Sequence, residues 1–426
     1  MEYRSKYVIW LVRKCRLGIR FVYMYNSSYP NFNLRHLAAA VAVYELGSLS
    51  RAAESVFLTQ SAVTQGIAKL EQQLGYQLFV RSAHGAACTA VGQQFLARVA
   101  QAFHGLALTD GVLGGARAGQ RPVRYKQFTW SHLKAFKSVV DCGSSLRAAA
   151  QLNLSQPTVH KSIRDFEVIC GTDLFHRTAV GLEANFTARQ IAQHVGVFFR
   201  DLERSVESLG QDNSESRATL MVGSLPRARS DLIPNAVIRL LSEYQNTKVR
   251  IVDGPYDEQL DSLLHGRLDL IVGALRDPLP ATNIEQVPIF TEDLSVVVKA
   301  SHALVGRRDI DQQLLHDLSW VAPREPTPAR EVFDRFFREA KLPPPSDIIE
   351  CSSLVATRGL LLASDRAALL PARQVAFDVS SGVLTVLPVT LPGTERTIGY
   401  TKLQNWFPTV VQARFIELLE HEARYS

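Results

Sequence analysis

The sequence predicts a multidomain chain: two helix-rich, winged helix-turn-helix units in tandem, followed by an α/β domain built on parallel strands. Three observations carry this reading. The segment RAAESVFLTQSAVTQGIAKLEQQLG, Arg51–Gly75, returns 96 positions later as RAAAQLNLSQPTVHKSIRDFEVICG, Arg147–Gly171. Each copy places apolar residues at helical spacing between capping residues. Beyond residue 217, short apolar runs alternate with helical stretches, a βα pattern. At 426 residues the chain exceeds one ordinary core, and about two to four domains are expected.

Residues 1–32 read as an extension, disordered or owed to an upstream start, with Met24 as an alternative first residue. Its apolar stretch is broken by Arg13, Lys14, Arg16 and Arg20, so neither a membrane span nor a secretory signal is expected.

The first unit, with its linker helix, is expected over residues 33–110. Leu34–Leu46 is a mostly apolar helix closed by Gly47. Ser48 caps Leu49–Phe57, the chain turns at Leu58, and Thr59 caps Gln60–Leu74, which ends at Gly75. Val63, Ile67, Leu70 and Leu74 form one buried stripe on this third helix. Leu34–Ser82 aligns without a gap on Trp130–Thr178, and 18 of the 49 pairs are identical, so the unit is duplicated. A linker over residues 111–127, with four glycines in Gly111–Gln120, leads to the second unit over 128–211. There the stripe is Val159, Ile163, Phe166 and Cys170.

The open face of each third helix carries hydrogen-bonding or cationic groups, the chemistry that reads base edges from the major groove. The candidate base-reading residues are Gln60, Ser61, Thr64 and Gln65 in the first copy, and Gln156, Pro157, Thr158, His160 and Lys161 in the second. Candidate phosphate contacts are Arg51, Thr59, Lys69 and Arg81, then Arg147, Ser155, Arg164 and Arg177. Arg81 and Arg177 sit on the predicted wings. Long helices, Ala90–Leu108 and Thr187–Leu209, follow them. Charge agrees: residues 1–211 hold 24 Lys+Arg against 13 Asp+Glu, a net of +11, whereas the remainder holds 23 against 28, a net of −5. A polyanion partner for the front half fits this asymmetry. The competing reading is a helical bundle with a solvated polar face.

Five scattered cysteines (Cys15, Cys88, Cys142, Cys170, Cys351) include no CxxC pair, which fits reduced thiols in a cytoplasmic protein and gives no reason to expect zinc or another cofactor. No HExxH, P-loop, GxGxxG or GxSxG occurs, so no enzymatic reading stands. In the back half, apolar runs at Leu220–Val222, Val249–Val252, Leu268–Val272 and Leu294–Val298 are the expected strands.

Together these residues resemble the LysR-type transcriptional regulators. The first copy matches their helix-turn-helix pattern almost throughout. The second keeps Ala148, Ala149, Leu154, Ser155, Gln156, Pro157, Val159, Ile163, Glu167, Gly171, Leu174, Phe175 and Arg177. It departs at His160 and Cys170, and lacks the Thr-x-x-Gly that the first copy has at Thr89 and Gly92. RATLMVGSLPRARSDLIP, VDGPYDEQLDSLLHGRLDLIVG, EDLSVVVKASHAL and SSLVATRGLLLASDRAALLP resemble the family's effector domain. The resemblance implies a two-lobed α/β domain over residues 217–426, similar to periplasmic binding proteins, with lobe I at about 217–282 and 393–426 and lobe II at about 283–392. It places a small-molecule effector between the lobes, near Ser224, Leu225, Arg227, Tyr256, Ser352 and Ser353. An anionic effector with Arg227 as its cation is the expectation; the plainer alternatives are Arg227 as a rim residue facing water and Ser352 as a helix cap. Double-stranded DNA, a homo-oligomer (dimer or tetramer) and contact with RNA polymerase follow from the resemblance, and no membrane partner does. The alternative is a cytosolic solute-binding receptor whose helical front half only mediates assembly.

One departure stands out, because the family usually carries a single DNA-binding domain per chain. The long helices after the two wings could pair within one chain, with Gly111–Gln120 as the return loop. Gln65 becomes Lys161 and Thr64 becomes His160 between the copies; Gln suits adenine and Lys suits guanine, so an asymmetric DNA site is expected.

Overall fold

The computed structural model describes residues 31–82, 85–114, 124–178, 181–210 and 218–424. Nearly all of the expected N-terminal extension, and most of Gly111–Gln120, lie outside the described residues.

The first unit is α1 (Leu34–Leu46), α2 (Leu49–Ser55), α3 (Gln60–Leu74), an antiparallel hairpin of β1 (Phe79–Ser82) and β2 (Gly85–Cys88), the long α4 (Ala90–Ala107) and the short α5 (Thr109–Val112). Local chemistry sets these limits. Thr59 accepts from the amide of Ala62 at 3.1 Å and starts α3; Gly75, at φ 76°, ends it in the left-handed conformation that glycine adopts without a steric penalty. Helix α2 stops at Ser55, short of the expected Phe57, because Phe57 itself turns left-handed at φ 56°. Its ring is 90% exposed, so no burial offsets that strain. The second unit has Asn153 at the equivalent place, at φ 52°, a residue suited to it. Phe57→Asn is therefore expected to stabilise the protein by about 0.5–1 kcal/mol, read as a rise in unfolding temperature; an unchanged or lower temperature would contradict it.

The second unit repeats the order: α6 (Trp130–Cys142), α7 (Ser145–Leu152), α8 (Gln156–Cys170), the hairpin of β3 (Phe175–Thr178) and β4 (Gly181–Ala184), and α9 (Phe186–Glu207). Val159, Ile163, Phe166 and Cys170 are all buried, and burial pushes the Cys170 thiol up to about 12. An identity between the copies also acquires a reason. Glu71 accepts from the Leu78 and Phe79 amides at 2.7 and 3.0 Å, and Glu167 accepts from the Leu174 amide at 2.8 Å, tying each third helix to its wing.

Helices α4 and α9 pack against each other within the chain. Phe103 meets Phe198 with ring centroids 5.5 Å apart, and the next residue, Phe199, turns to Trp130 of α6 at 5.0 Å. Each helix buries an apolar face: Phe95, Leu96, Val99, Ala102 and Leu106 on α4, and Ile191, Val195, Phe198, Phe199 and Leu202 on α9.

The remaining residues build two five-stranded sheets around separate cores. The first has the order β6–β5–β7–β14–β8, with β5 (Thr219–Ser224), β6 (Lys248–Asp253), β7 (Leu270–Ala274), β8 (Ile284–Glu292) and β14 (Arg396–Leu403). Between them lie α10 (Leu232–Glu243) and α11 (Tyr256–Leu264), and α16 (Val410–Arg424) closes the chain. The second sheet has the order β11–β10–β12–β9–β13, with β9 (Ser295–Lys299), β10 (Trp320–Ala322), β11 (Ile348–Glu350), β12 (Ala367–Leu370) and β13 (Leu384–Val386). Helices α12 (Gln312–His316), α13 (Pro328–Glu339), α14 (Leu354–Ala363) and α15 (Ala376–Ser380) accompany it.

Two expectations are corrected. The sheets are mixed rather than parallel: β5 runs parallel to β6 and β7, but β14, returning from the other lobe, runs antiparallel to β7. The lobe boundary also moves. Residues 284–292 were expected in lobe II, yet β8 pairs with β14 along its length, so the second lobe begins after Glu292.

The α/β half rests on both long helices. Arg98 of α4 donates to the carbonyls of Phe407 and Pro408 at 2.9 and 2.8 Å, and lies 4.8 Å over the Phe407 ring. On α9, Arg204 and Arg200 flank the buried Asp269 at the foot of β7. Gly196 lies so close to the His265 carbonyl that any β-carbon there would collide with it.

Candidate nucleic-acid interface and effector cleft

Both third helices present their polar faces to solvent. Gln60, Ser61, Thr64, Gln65 and Lys69 are exposed on α3, as is Arg51 on α2. The Thr64 hydroxyl donates to its own helix at the Gln60 carbonyl, 2.9 Å, while Gln60 accepts from Ser50 at 3.4 Å. Thr59 is spent as the helix cap. The Arg81 backbone lies in β1; its side chain is outside the described residues.

In the second unit Gln156, Pro157, Thr158, Lys161, Arg164 and Arg177 are exposed. Ser155 caps α8 and meets the Thr158 hydroxyl at 2.7 Å. Arg147 turns back to the Cys142 carbonyl. His160 differs from its counterpart Thr64: it is half-buried, 3.1 Å from the Ser145 hydroxyl, which also accepts from Gln156 at 3.2 Å. Sequence reasoning placed Gln156 and His160 on one helix face but missed Ser145, because the bond between them crosses from α7.

Ser224, Leu225, Arg227 and Tyr256 lie at or just beyond the C-terminal ends of β5 and β6, whereas Ser352 and Ser353 follow β11 of the other sheet. Strand β5 has β6 on one side and β7 on the other, so the chain changes winding direction there, where open α/β sheets hold ligands. Ser224 ends β5 fully buried, and its hydroxyl has no hydrogen-bond partner among the described residues. Its carbonyl is held by Arg229 at 2.9 Å and by Gln259 at 3.1 Å. Leu225 is buried beside it, and Tyr256 opens α11. Ser353, not Ser352, caps α14, accepting from the Ala356 amide at 3.4 Å; Ser352 is exposed.

Arg227 requires a correction. It does not face water, being 3% exposed, and its charge is already met. Glu292 accepts from Nε at 2.5 Å and Asp231 from Nη1 at 2.6 Å. Burial alone would lower its pKa, but the two carboxylates raise it above the ordinary arginine value. Glu292 also accepts from Arg396 at 2.9 Å, so two arginines and two carboxylates make a neutral cluster, and Arg227 is a poor sole counter-charge for an anion.

A chain that joins exposed, cation-bearing helical faces to a two-lobed α/β body with buried polar side chains at its winding switch has the architecture of a DNA-binding regulator with a ligand-binding domain. Comparison with known proteins gives the family. A model described as bacterial regulatory helix-turn-helix protein, lysR family, matches residues 34–93 and again 130–189, and one described as LysR substrate binding domain matches residues 213–424. The HTH-type transcriptional regulator GalR of Pseudomonas putida is 33% identical over 367 residues, covering 86% of this chain and 91% of that protein. The HTH-type transcriptional regulator PcaQ of Agrobacterium fabrum is 28% identical over 298 residues, covering 70% of this chain and 96% of that protein. Among solved structures, ArgP from Mycobacterium tuberculosis shares the fold at TM-score 0.55 and 15% identity, covering 70% of this chain and 98% of that one. The chain belongs to the LysR family of transcriptional regulators, proteins that are not enzymes. Membership favours regulation over a solute receptor with a mere assembly module. Among the described residues, no helix is long and apolar enough to cross a membrane.

Proposed function

We propose that this chain is a two-headed cytoplasmic LysR-type regulator. Both tandem winged helix-turn-helix units read DNA, and one effector domain governs the pair. The observation that carries this reading is the pairing of α4 with α9 inside one chain. The helices that follow the two wings are joined, so each chain holds two reading helices in a fixed relation. The double match of the helix-turn-helix model supports it, as does the 367-residue GalR alignment, which is longer than the stretch from residue 130 to the C-terminus and so reaches into the first copy.

The base-reading set is Gln60, Ser61, Thr64 and Gln65 with Gln156, Thr158, His160 and Lys161, and the exposed arginines and Lys69 contact phosphate. The two half-sites are unlike. An effector between the lobes closes them and, through α4 and α9, reorients the heads. Pairs of chains, and contact with RNA polymerase, extend this unit.

Footprinting separates the heads. Replacing Gln60 and Gln65 by Ala is expected to weaken operator binding roughly 10- to 100-fold and clear one half of the footprint; replacing Gln156 and Lys161 by Ala clears the other. Wild-type affinity falls steeply with salt. An intact footprint after the second pair of substitutions would remove the second head from DNA reading.

A further inference from the structure

The effector niche lost its expected cation when Arg227 proved to be paired, and the structure offers another. Arg276 lies two residues beyond the end of β7, beside the same strand ends as Ser224 and Tyr256. Its backbone is clamped on both sides by one side chain: Gln286 accepts from the Arg276 amide at 2.7 Å and donates to its carbonyl at 2.9 Å. Its guanidinium is laid 4.4 Å over the Tyr256 ring. Tyr256 is itself buried, at 9% exposed.

What this guanidinium lacks is an anion. The buried Arg200, Arg204 and Arg227 each meet a carboxylate. Arg276 has no ion pair among the described residues, and its Nε is buried without a hydrogen-bond partner. Asp257 and Glu331 bear on it only through space. Leaving a half-buried charged donor unmet is costly unless something else meets it. The fully buried Ser224 hydroxyl, also without a partner, is a second donor at the same strand ends.

We infer that Arg276, seated on Tyr256, is the anion receptor of the effector niche and that its ligand is a small organic monocarboxylate. The free Nε edge of a guanidinium matches a carboxylate in two parallel bonds. With Asp257 and Glu331 nearby, a single negative charge meets less repulsion at Arg276 than a phosphate dianion would. This assignment rests on the effector-domain reading above and adds to it the residue and the ligand class.

The test uses the full chain and thermal unfolding against a panel of aliphatic and aromatic monocarboxylates, their methyl esters and amides, and inorganic phosphate. At least one acid is expected to raise the unfolding temperature while its ester and amide do not. Arg276→Gln is expected to weaken that acid roughly 10- to 100-fold, and Arg276→Lys to recover only part, since lysine cannot form the paired bonds. Circular dichroism of the unliganded variants reports their folding separately. Equal binding of acid and amide, binding of phosphate alone, or an acid indifferent to Arg276→Gln would overturn the assignment while leaving a ligand-controlled regulator in place. If no compound, charged or neutral, moves either the unfolding temperature or the footprint, the assignment and effector control fall together.

Discussion

Asp269→Ala is expected to remove about 3–5 kcal/mol of stability, a large part of the ~5–15 kcal/mol available to a folded domain. The Asp269 side chain has no solvent exposure, and it holds three things at once. One oxygen faces Arg204, with Arg200 3.7 Å away; the other accepts from the Met221 amide of β5 at 2.9 Å. Arg200 and Arg204 are 5% and 3% exposed, so alanine would take a buried carboxylate from both guanidiniums, leaving them Glu203 and Asp201 on their own helix, each at 3.2 Å, with Arg200 also donating to the Thr219 carbonyl at 3.4 Å. The loss falls at the joint between α9 and the effector half. Denaturant unfolding measures it, and a loss below about 1 kcal/mol would show the cluster to be dispensable. Burial alone would raise the Asp269 carboxyl, but Arg204, Arg200 and the Met221 amide hold it below the ordinary value. A carboxyl lowered on folding stabilises above its unfolded pKa of about 4, and that contribution is lost as pH falls through the lower folded value. Asp269→Asn should therefore flatten the acid side of the stability profile. Asp201 and Glu203, both raised by burial, contribute the opposite slope.

Much of the helical front half was legible because its signals are local. Gly47, Ser48, Thr59 and Gly75 mark helix ends by backbone chemistry that acts within a turn: α1 ends at the Gly47 cap, α2 begins after Ser48, and α3 runs between the Thr59 and Gly75 caps. Phe57 escaped because nothing in its own character announces a left-handed turn; only its Asn153 counterpart does. The effector half was legible as strands but not as sheets. Whether residues 284–292 join one lobe or the other depends on β14, more than 100 residues away, and no local pattern carries that pairing. The niche shows the same limit. Arg227 looked like a free cation because Glu292, its distant partner, is invisible from the sequence, although Asp231 at i+4 was a nearer hint. Arg276 follows a strand just as Arg227 does, so the rule that found one could have found the other. What separates them is which one the fold has already neutralised.

Phe198→Ala is expected to separate the two heads. The ring is fully buried, and it meets Phe103 of α4, whereas its neighbour Phe199 meets Trp130 inside the second unit. Removing a buried phenylalanine costs about 3–5 kcal/mol, here drawn mostly from the α4–α9 joint. On the proposed two-headed reading, joined heads bind two half-sites as one ligand does, and the second contact forms at the high effective concentration set by the joint. Loosening it should reduce affinity for a duplex with both half-sites by up to ~10²–10⁴, while affinity for a single half-site stays close to wild type. Phe199→Ala makes the contrast, because its loss strikes the second unit's own core and should weaken the second half-site directly. Gel-shift titration of both variants on one-site and two-site duplexes tells the cases apart. Should Phe198→Ala weaken one-site and two-site duplexes equally, the α4–α9 joint would be a packing contact and not the coupling that lets one chain hold two reading heads in register.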